Sequence, residues 1–400
     1  MRFSRTVEGM TNITGTVAPG WEAVRAAFTY NLTETEEVGA AVAIYHRGEK
    51  VVDLSGGFFD ETRTAPYDES TLQLVFSTTK GIVAIALAML VERGLLRYDD
   101  LVAAHWPEFA EHGKGEATVA QLISHQCGLF GVDGPLTMDE VLDWDTITAR
   151  TAATKPDWPI GTGHGYHALT YGFLAGELIR RVDPLHRTPG KFVADEIVAP
   201  LGVELWIGLP ESLEPRVSPI IGQAIVDSAD DPEIAAMLQM IVGPGTRGGR
   251  ALFLDGTIPD GSFNRREFHA AEIPAANGIS NARSLAKIYA STLGAIDGVQ
   301  LMHDEVRNVA RTCVTPEGEA DLCLVALTTF GMGFMTNGTV SAYAGPGSYG
   351  HPGAGGSVAF AQPERDLAFA YVMNRSAANL AGDLRAQRLI DAASATIDGL

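Results

Sequence analysis

The chain has 400 residues, of which 46% are hydrophobic and 20% charged, a balance that fits a folded globular protein and excludes a disordered tail. Its 29 basic and 49 acidic residues leave a net charge of −20. Such a field repels phosphate backbones and anionic lipid, which argues against nucleic-acid and membrane-surface roles.

Residues 1–8 show no apolar stretch behind their basic groups, so no secretory signal is expected. The longest apolar run, 81–91, is about half the length of a bilayer span. Cys127, Cys313 and Cys323 are odd in number and lack metal or redox spacing. They read as buried or inert thiols in a reducing compartment, which points to the cytoplasm.

Along the chain, 38–45 and 50–54 are apolar, β-branched runs joined through Gly48, the signature of a hairpin. After a short approach at 72–76, Ser77 opens a helix that reaches about Arg93 and stops at Gly94. Apolar residues surround that helix, so it is expected to be buried and central. From about 99 to 270 helices are expected near 119–124, 138–151, 169–181 and 191–199, without a strong strand between them. Residues 243–275, rich in Gly, Arg and Pro, read as a long surface loop. Helix returns at 280–293, strands are expected at 322–328, 357–362 and 367–373, and a last helix at 378–397. The fold class is therefore α/β plus all-α: an antiparallel sheet flanked by helices, with a helical insertion. Residues 1–98 and 275–400 form the α/β part, 99–274 the helical part, and a cleft lies between them.

Ser77-Thr78-Thr79-Lys80 places a hydroxyl and an amine on one helical face, because residues i and i+3 are neighbours there. Serine needs a base within hydrogen-bond reach, and a desolvated lysine has its pKa lowered enough to act as one. Ser at a helix start is more often a cap and Lys a solvated charge. The same spacing in Ser284-Leu285-Ala286-Lys287 fits that plainer description, with Lys287 exposed. Ser77 differs in preceding a helix with little polar face, where an unpaired lysine is costly.

Three further segments follow in order. They are Leu122-Ile123-Ser124-His125-Gln126-Cys127-Gly128-Leu129; Trp158-Pro159-Ile160-Gly161-Thr162 with Tyr166-His167-Ala168; and Gly350-His351-Pro352-Gly353-Ala354-Gly355-Gly356-Ser357. With the S-x-x-K element they resemble the serine β-lactamase and penicillin-binding superfamily. The nearest likeness is to the class C β-lactamase-like esterases, the family VIII carboxylesterases, over about residues 20–375. The resemblance implies a β-lactamase/transpeptidase-like fold and a serine hydrolase acting on a small-molecule ester through an acyl-enzyme, without metal or cofactor. It implies Ser77 as nucleophile, Lys80 as its partner, and Tyr166 as second base and later acid, with the order of proton transfer open. The phenolate of Tyr166 would be favoured by the Lys80 ammonium. Backbone N–H groups of Ser77 and Ala354 would form the oxyanion hole, with Gly353, Gly355 and Gly356 admitting close approach of a ligand. His351 would either orient Tyr166 or bond to loop backbone. His167 and His164 could shape the pocket, although exposure is the plainer expectation. His125 is expected to brace its loop and Trp158 to pack.

Three positions depart from the lactamase pattern. Ala168 stands where an asparagine is expected, His351 where K-T-G has lysine, and no glutamine follows the Gly-Leu loop. Substrate amide and carboxylate groups left unpaired there would cost about 1–3 kcal/mol each. Short-chain esters ask for less, so ester hydrolysis is expected ahead of β-lactam or D-Ala peptide cleavage, with acyl transfer a further alternative.

Overall fold

Strands Gly39–His46 and Leu367–Met373 are buried along their whole length, and alternation divides their side chains between two cores. Ala41, Ala43, Ala368, Ala370 and Val372 face the larger one. Val42, Ile44, Leu367, Phe369, Tyr371 and Met373 face the other. The two strands pair antiparallel, Ala43 opposite Ala370, which joins the chain's two ends. They are central in a seven-stranded antiparallel sheet ordered Thr14–Val17, Glu49–Gly57, Gly39–His46, Leu367–Met373, Val358–Gln362, Tyr349–Pro352, Met335–Thr336. This architecture comes from a computed structural model describing residues 12–222, 232–259, 261–377 and 382–400. Residues 1–8 and the expected start of the last helix at Ala378 lie outside the described residues.

Small side chains on one sheet face admit helices Ala282–Ala290 and Thr78–Glu92. Every residue of the latter from Thr78 to Leu90 is buried, as an apolar circumference requires. The packing is close: a Cβ on Gly81 would fall 2.0 Å from the Tyr289 hydroxyl. Helices Glu22–Glu34 and Leu384–Asp398 cover the opposite face through Val24, Phe28, Leu389, Ile390 and Ala393.

A second sheet, ordered Leu205–Trp206, Ile279–Ser280, Leu72–Leu74, Val217–Ser218, lies at the approach to Ser77. Its strands are two or three residues long, too short for a periodicity to betray them. Residues 243–275 are not simply a loop, since helices Arg247–Phe253 and Arg266–Ala270 interrupt them. The expected helix at 138–151 is broken at Asp143, which caps the second piece by accepting from Thr146 N.

The expected strand at 322–328 does not form. The Asp321 carboxylate accepts from the Cys323 and Leu324 amides and holds the segment in turns. A carboxylate that captures nearby N–H groups competes with a ladder. Leu322 and Val325 are left exposed. Cys313 is also exposed, whereas Cys127 and Cys323 are buried, and all three are free thiols.

Candidate active site

Pairing of Leu74 with Ile279, then the bridge between Phe76 and Asn277, lays residues 275–278 alongside the start of the central helix. Phe76 takes a left-handed φ of 44°, a conformation that costs a non-glycine residue roughly 1–2 kcal/mol. Its carbonyl is held by the Thr79 amide and hydroxyl. The turn delivers Ser77 to the helix start without using it as a cap, since its side chain makes no capping hydrogen bond.

Ser77 Oγ instead lies between two proton-bearing groups. Lys80 Nζ is 3.0 Å away and Tyr166 Oη 2.8 Å. Lys80 is fully buried and also donates to the carbonyls of Ala168, at 2.7 Å, and Ala275, at 2.9 Å. Carbonyls can only accept, so two amine hydrogens are committed and the third position faces the serine. Burial holds the Lys80 pKa well below the usual lysine range, favouring a neutral amine with its lone pair toward Oγ.

Tyr166 lies parallel to Phe330, ring centroids 6.1 Å apart, with His351 at 5.8 Å. Its amide donates to Asp321 Oδ1. Burial raises the phenol above the usual tyrosine range, the Ser77 hydrogen bond opposes this and the Asp321 charge adds to it. The expected phenolate is therefore corrected. In this dry site Tyr166 rests as the phenol.

The expected exposure of His167 and His164 is also overturned; both are buried. His167 donates from Nδ1 to Gly165 O and accepts the Leu129 amide at Nε2, and burial lowers its pKa to about 4. His164 Nε2 meets the Thr328 hydroxyl. His125 accepts the His167 amide at Nδ1. These rings brace the segment carrying Tyr166 from behind. His351 donates from Nδ1 to Pro352 O at 2.7 Å, and burial lowers it to about 3, so the ring is neutral. Trp158 stacks on Phe130 at 5.6 Å.

Ser77 and Ala354 line one cavity, partly open to solvent. Its other walls include Phe76, Leu169, Ile220, Ile258 and Phe263. Among its described lining residues none is charged. The one amide, Asn264, is tied to the Ile220 backbone through both ends, at 2.8 Å each. The glycines after Ala354 serve the protein itself: a Cβ on Gly356 would meet Asp383 Oδ2 at 2.3 Å, and one on Gly355 would meet Ser376 Oγ at 2.6 Å.

Ser284 and Lys287 do not form a comparable pair. Ser284 Oγ accepts the Glu204 amide, while Lys287 donates to Leu201 O and pairs with Asp297. Lys287 is thus mostly covered and paired, contrary to the expected exposure. Asp321, the Ala275 carbonyl and the cavity wall from 252 to 276 are elements that sequence reasoning missed. Nothing in their local sequence marks them, because each depends on distant segments meeting. Among the described residues no group of three His, Cys, Asp or Glu side chains is placed to hold a metal ion.

A sheet closed by both chain ends, with a Ser-x-x-Lys helix start packed on it and a tyrosine at the serine, defines the β-lactamase and penicillin-binding class of folds. The beta-lactamase family model matches residues 20–394, and the chain belongs to that family. It is 33% identical over 372 residues to esterase/beta-lactamase LipL of Mycobacterium tuberculosis, covering 90% of this chain and 82% of that one. A penicillin-binding protein homolog from Caulobacter crescentus superposes with a TM-score of 0.85 at 40% identity, covering 96% of this chain and all of the other. A family VIII carboxylesterase gives 0.83 at 34% identity, with 96% and 100% covered.

Proposed function

We propose that the chain is a serine carboxylesterase that hydrolyses short-chain acyl esters through an acyl-enzyme on Ser77. The observation that carries the reading is Ser77 Oγ held between a buried amine and a phenol at an apolar cavity. Relatives named as esterases support it. Lys80 Nζ takes the Ser77 proton as Oγ bonds to the ester carbonyl carbon. The oxyanion forms against the Ser77 and Ala354 amides. The C–O bond then breaks, and the Tyr166 hydroxyl protonates the departing alkoxide. The Lys80 ammonium then gives its proton to the Tyr166 phenolate, which resets both groups. Water attacks the acyl-enzyme carbonyl with Lys80 taking its proton, and the C–Oγ bond breaks as Tyr166 protonates Oγ, releasing the carboxylic acid and restoring the Ser77 hydroxyl. The cleft would lie between a body of residues 1–98 and 275–400 and one of 99–274.

Esters are preferred over β-lactams because the described walls offer no free amide or charge, and His351 stands neutral in place of a lysine. Kinetics on p-nitrophenyl butyrate and nitrocefin test this. The ester should be favoured at least a hundredfold in kcat/KM; equal or reversed preference contradicts it. Among the described residues no helix is long and apolar enough to cross a membrane. The free thiols support a reducing, cytoplasmic location as part of the same proposal.

A further inference from the structure

The segment carrying the Ala354 amide contains two consecutive glycines with φ of 82° and 128°, a stretch that does not hold its own shape. Its internal bonds are few: Gly353 N donates to Ser357 O, and Gly356 N to Gly353 O. Ser357 Oγ anchors one end by donating to Val75 O, and further restraint on Gly355 comes from Arg385 of the last helix and from the Ala377 amide ahead of it. Arg385 Nη2 donates to Gly355 O at 2.9 Å, and the Ala377 amide donates to the same oxygen at 3.0 Å.

Arg385 is itself fixed from every side. Nε and Nη2 donate to Asp383, and Nη1 donates to Glu37 Oε2 and to Arg375 O. With Gly355 O, all five guanidinium hydrogens have acceptors. Glu37 is fully buried and also accepts the Tyr371 hydroxyl. Asp383 caps the helix that carries Arg385 through the Arg385 amide. The fit is tight, since a Cβ on Gly356 would also lie 2.9 Å from Arg385 Nη2.

We infer that Arg385, clamped by Asp383 and Glu37, is a positioning residue for the oxyanion hole, acting through Gly355 to fix the Ala354 amide. The inference rests on the proposed acyl-enzyme chemistry. An oxyanion donor must sit within hydrogen-bond distance of where charge develops, and a displacement of about 0.5 Å forfeits much of its effect. A guanidinium with every hydrogen committed cannot serve as a substrate ligand, so its influence reaches the reaction through the loop. A neutral ester in its ground state does not need the donor as the tetrahedral state does, so the effect falls on kcat rather than KM.

The test uses the full-length protein and Arg385→Ala, Arg385→Lys and Asp383→Asn. Each is assayed for p-nitrophenyl butyrate kinetics below its melting temperature and for affinity toward an alkyl boronic acid, which adds to serine as a tetrahedral anion. Arg385→Ala should lose at least thirtyfold in kcat with KM within threefold, and lose boronate affinity in parallel. Arg385→Lys, able to give Gly355 O one donor, should recover part of both. Asp383→Asn, which keeps volume and a cap acceptor, should lose three- to tenfold in kcat and decides the matter if the arginine variants do not fold. Variants that melt earlier yet keep wild-type kcat and boronate affinity overturn the inference. Wild-type protein that takes no fluorophosphonate on Ser77 overturns the reading of the site itself, which separates the two failures.

Discussion

The Tyr166 hydroxyl stands 2.8 Å from Ser77 Oγ although 89 residues separate them in the chain. The rest of the tyrosine is held by its ring against Phe330 and by its amide on Asp321. Its hydroxyl is therefore free of structural duty apart from the serine, and the two roles can be separated by mutation.

Tyr166→Phe keeps the ring and removes the acid. It should lower kcat by roughly 10²- to 10⁴-fold, the usual worth of a positioned proton donor. Urea unfolding should shift by no more than about 1 kcal/mol, because one hydrogen bond is lost. A variant with near wild-type turnover would remove Tyr166 from the chemistry.

Asp321 accepts three backbone amides, those of Tyr166, Cys323 and Leu324, as well as the Thr328 hydroxyl. Asp321→Ala leaves those buried donors unpaired and should destabilise the protein by about 3 kcal/mol or more. Asp321→Asn keeps an acceptor and should cost only about 1 kcal/mol. Denaturation midpoints and kcat measured together should show both falling in the alanine variant and largely recovered in the asparagine one. An alanine variant as stable as the wild type would contradict this role.

Lys80 as first base predicts a particular pH–rate profile. Its pKa is held well below 10.5 by burial, while burial pushes Tyr166 above its usual range. The acylation rate should rise as the amine loses its proton and reach a plateau well before pH 10. A rate still climbing at pH 10 would assign the step to an ordinary lysine or to the phenolate. Lys80→Arg, which cannot deprotonate, should lose roughly 10³-fold or more.

Acid should weaken the fold through its buried histidines. Burial lowers His125 well below 6.5, His167 to about 4 and His351 to about 3. A depressed histidine contributes stability that is complete above its unfolded value and lost as pH falls toward the folded one. Glu37, raised to about 7 by burial, acts oppositely, its contribution growing as pH falls from 7 toward 4.5. The depressed histidines outnumber Glu37 among these groups, so the unfolded chain takes up net protons and stability should fall as pH drops from about 6.5 toward 5. Urea midpoints from pH 7.5 to 5.0 measure it; a flat or rising profile would show that these rings are not buried neutral.

How much of this is legible before the fold is known depends on sequence distance. Ser77 and Lys80 are joined by one helical turn, so their pairing follows from spacing and from the apolar helix that buries the amine. Tyr166 has no spacing that links it to Ser77 and is picked out by family likeness alone. The Ala275 carbonyl reaches Lys80 through strand pairs of two residues, below the length at which a pattern shows. The apolar run from Leu322 reads as a strand because hydrophobicity is visible in one dimension, whereas the capture of two amides by Asp321 is not. His164 and His167 mislead for the same reason: a polar, glycine-rich stretch looks exposed until the distant segments that bury its rings are in place. After Ala354, Gly355 faces Ser376 and Gly356 faces the Asp383–Arg385 pair, contacts that only the closed chain ends bring about.

The proposed chemistry requires that the hydroxyl at position 77 is the one that becomes acylated. Intact-mass and peptide mass spectrometry after a fluorophosphonate reads it directly. One adduct per chain is expected, on the peptide containing Ser77, and none in Ser77→Ala. An adduct on another residue, or labelling that persists in the alanine variant, would contradict it.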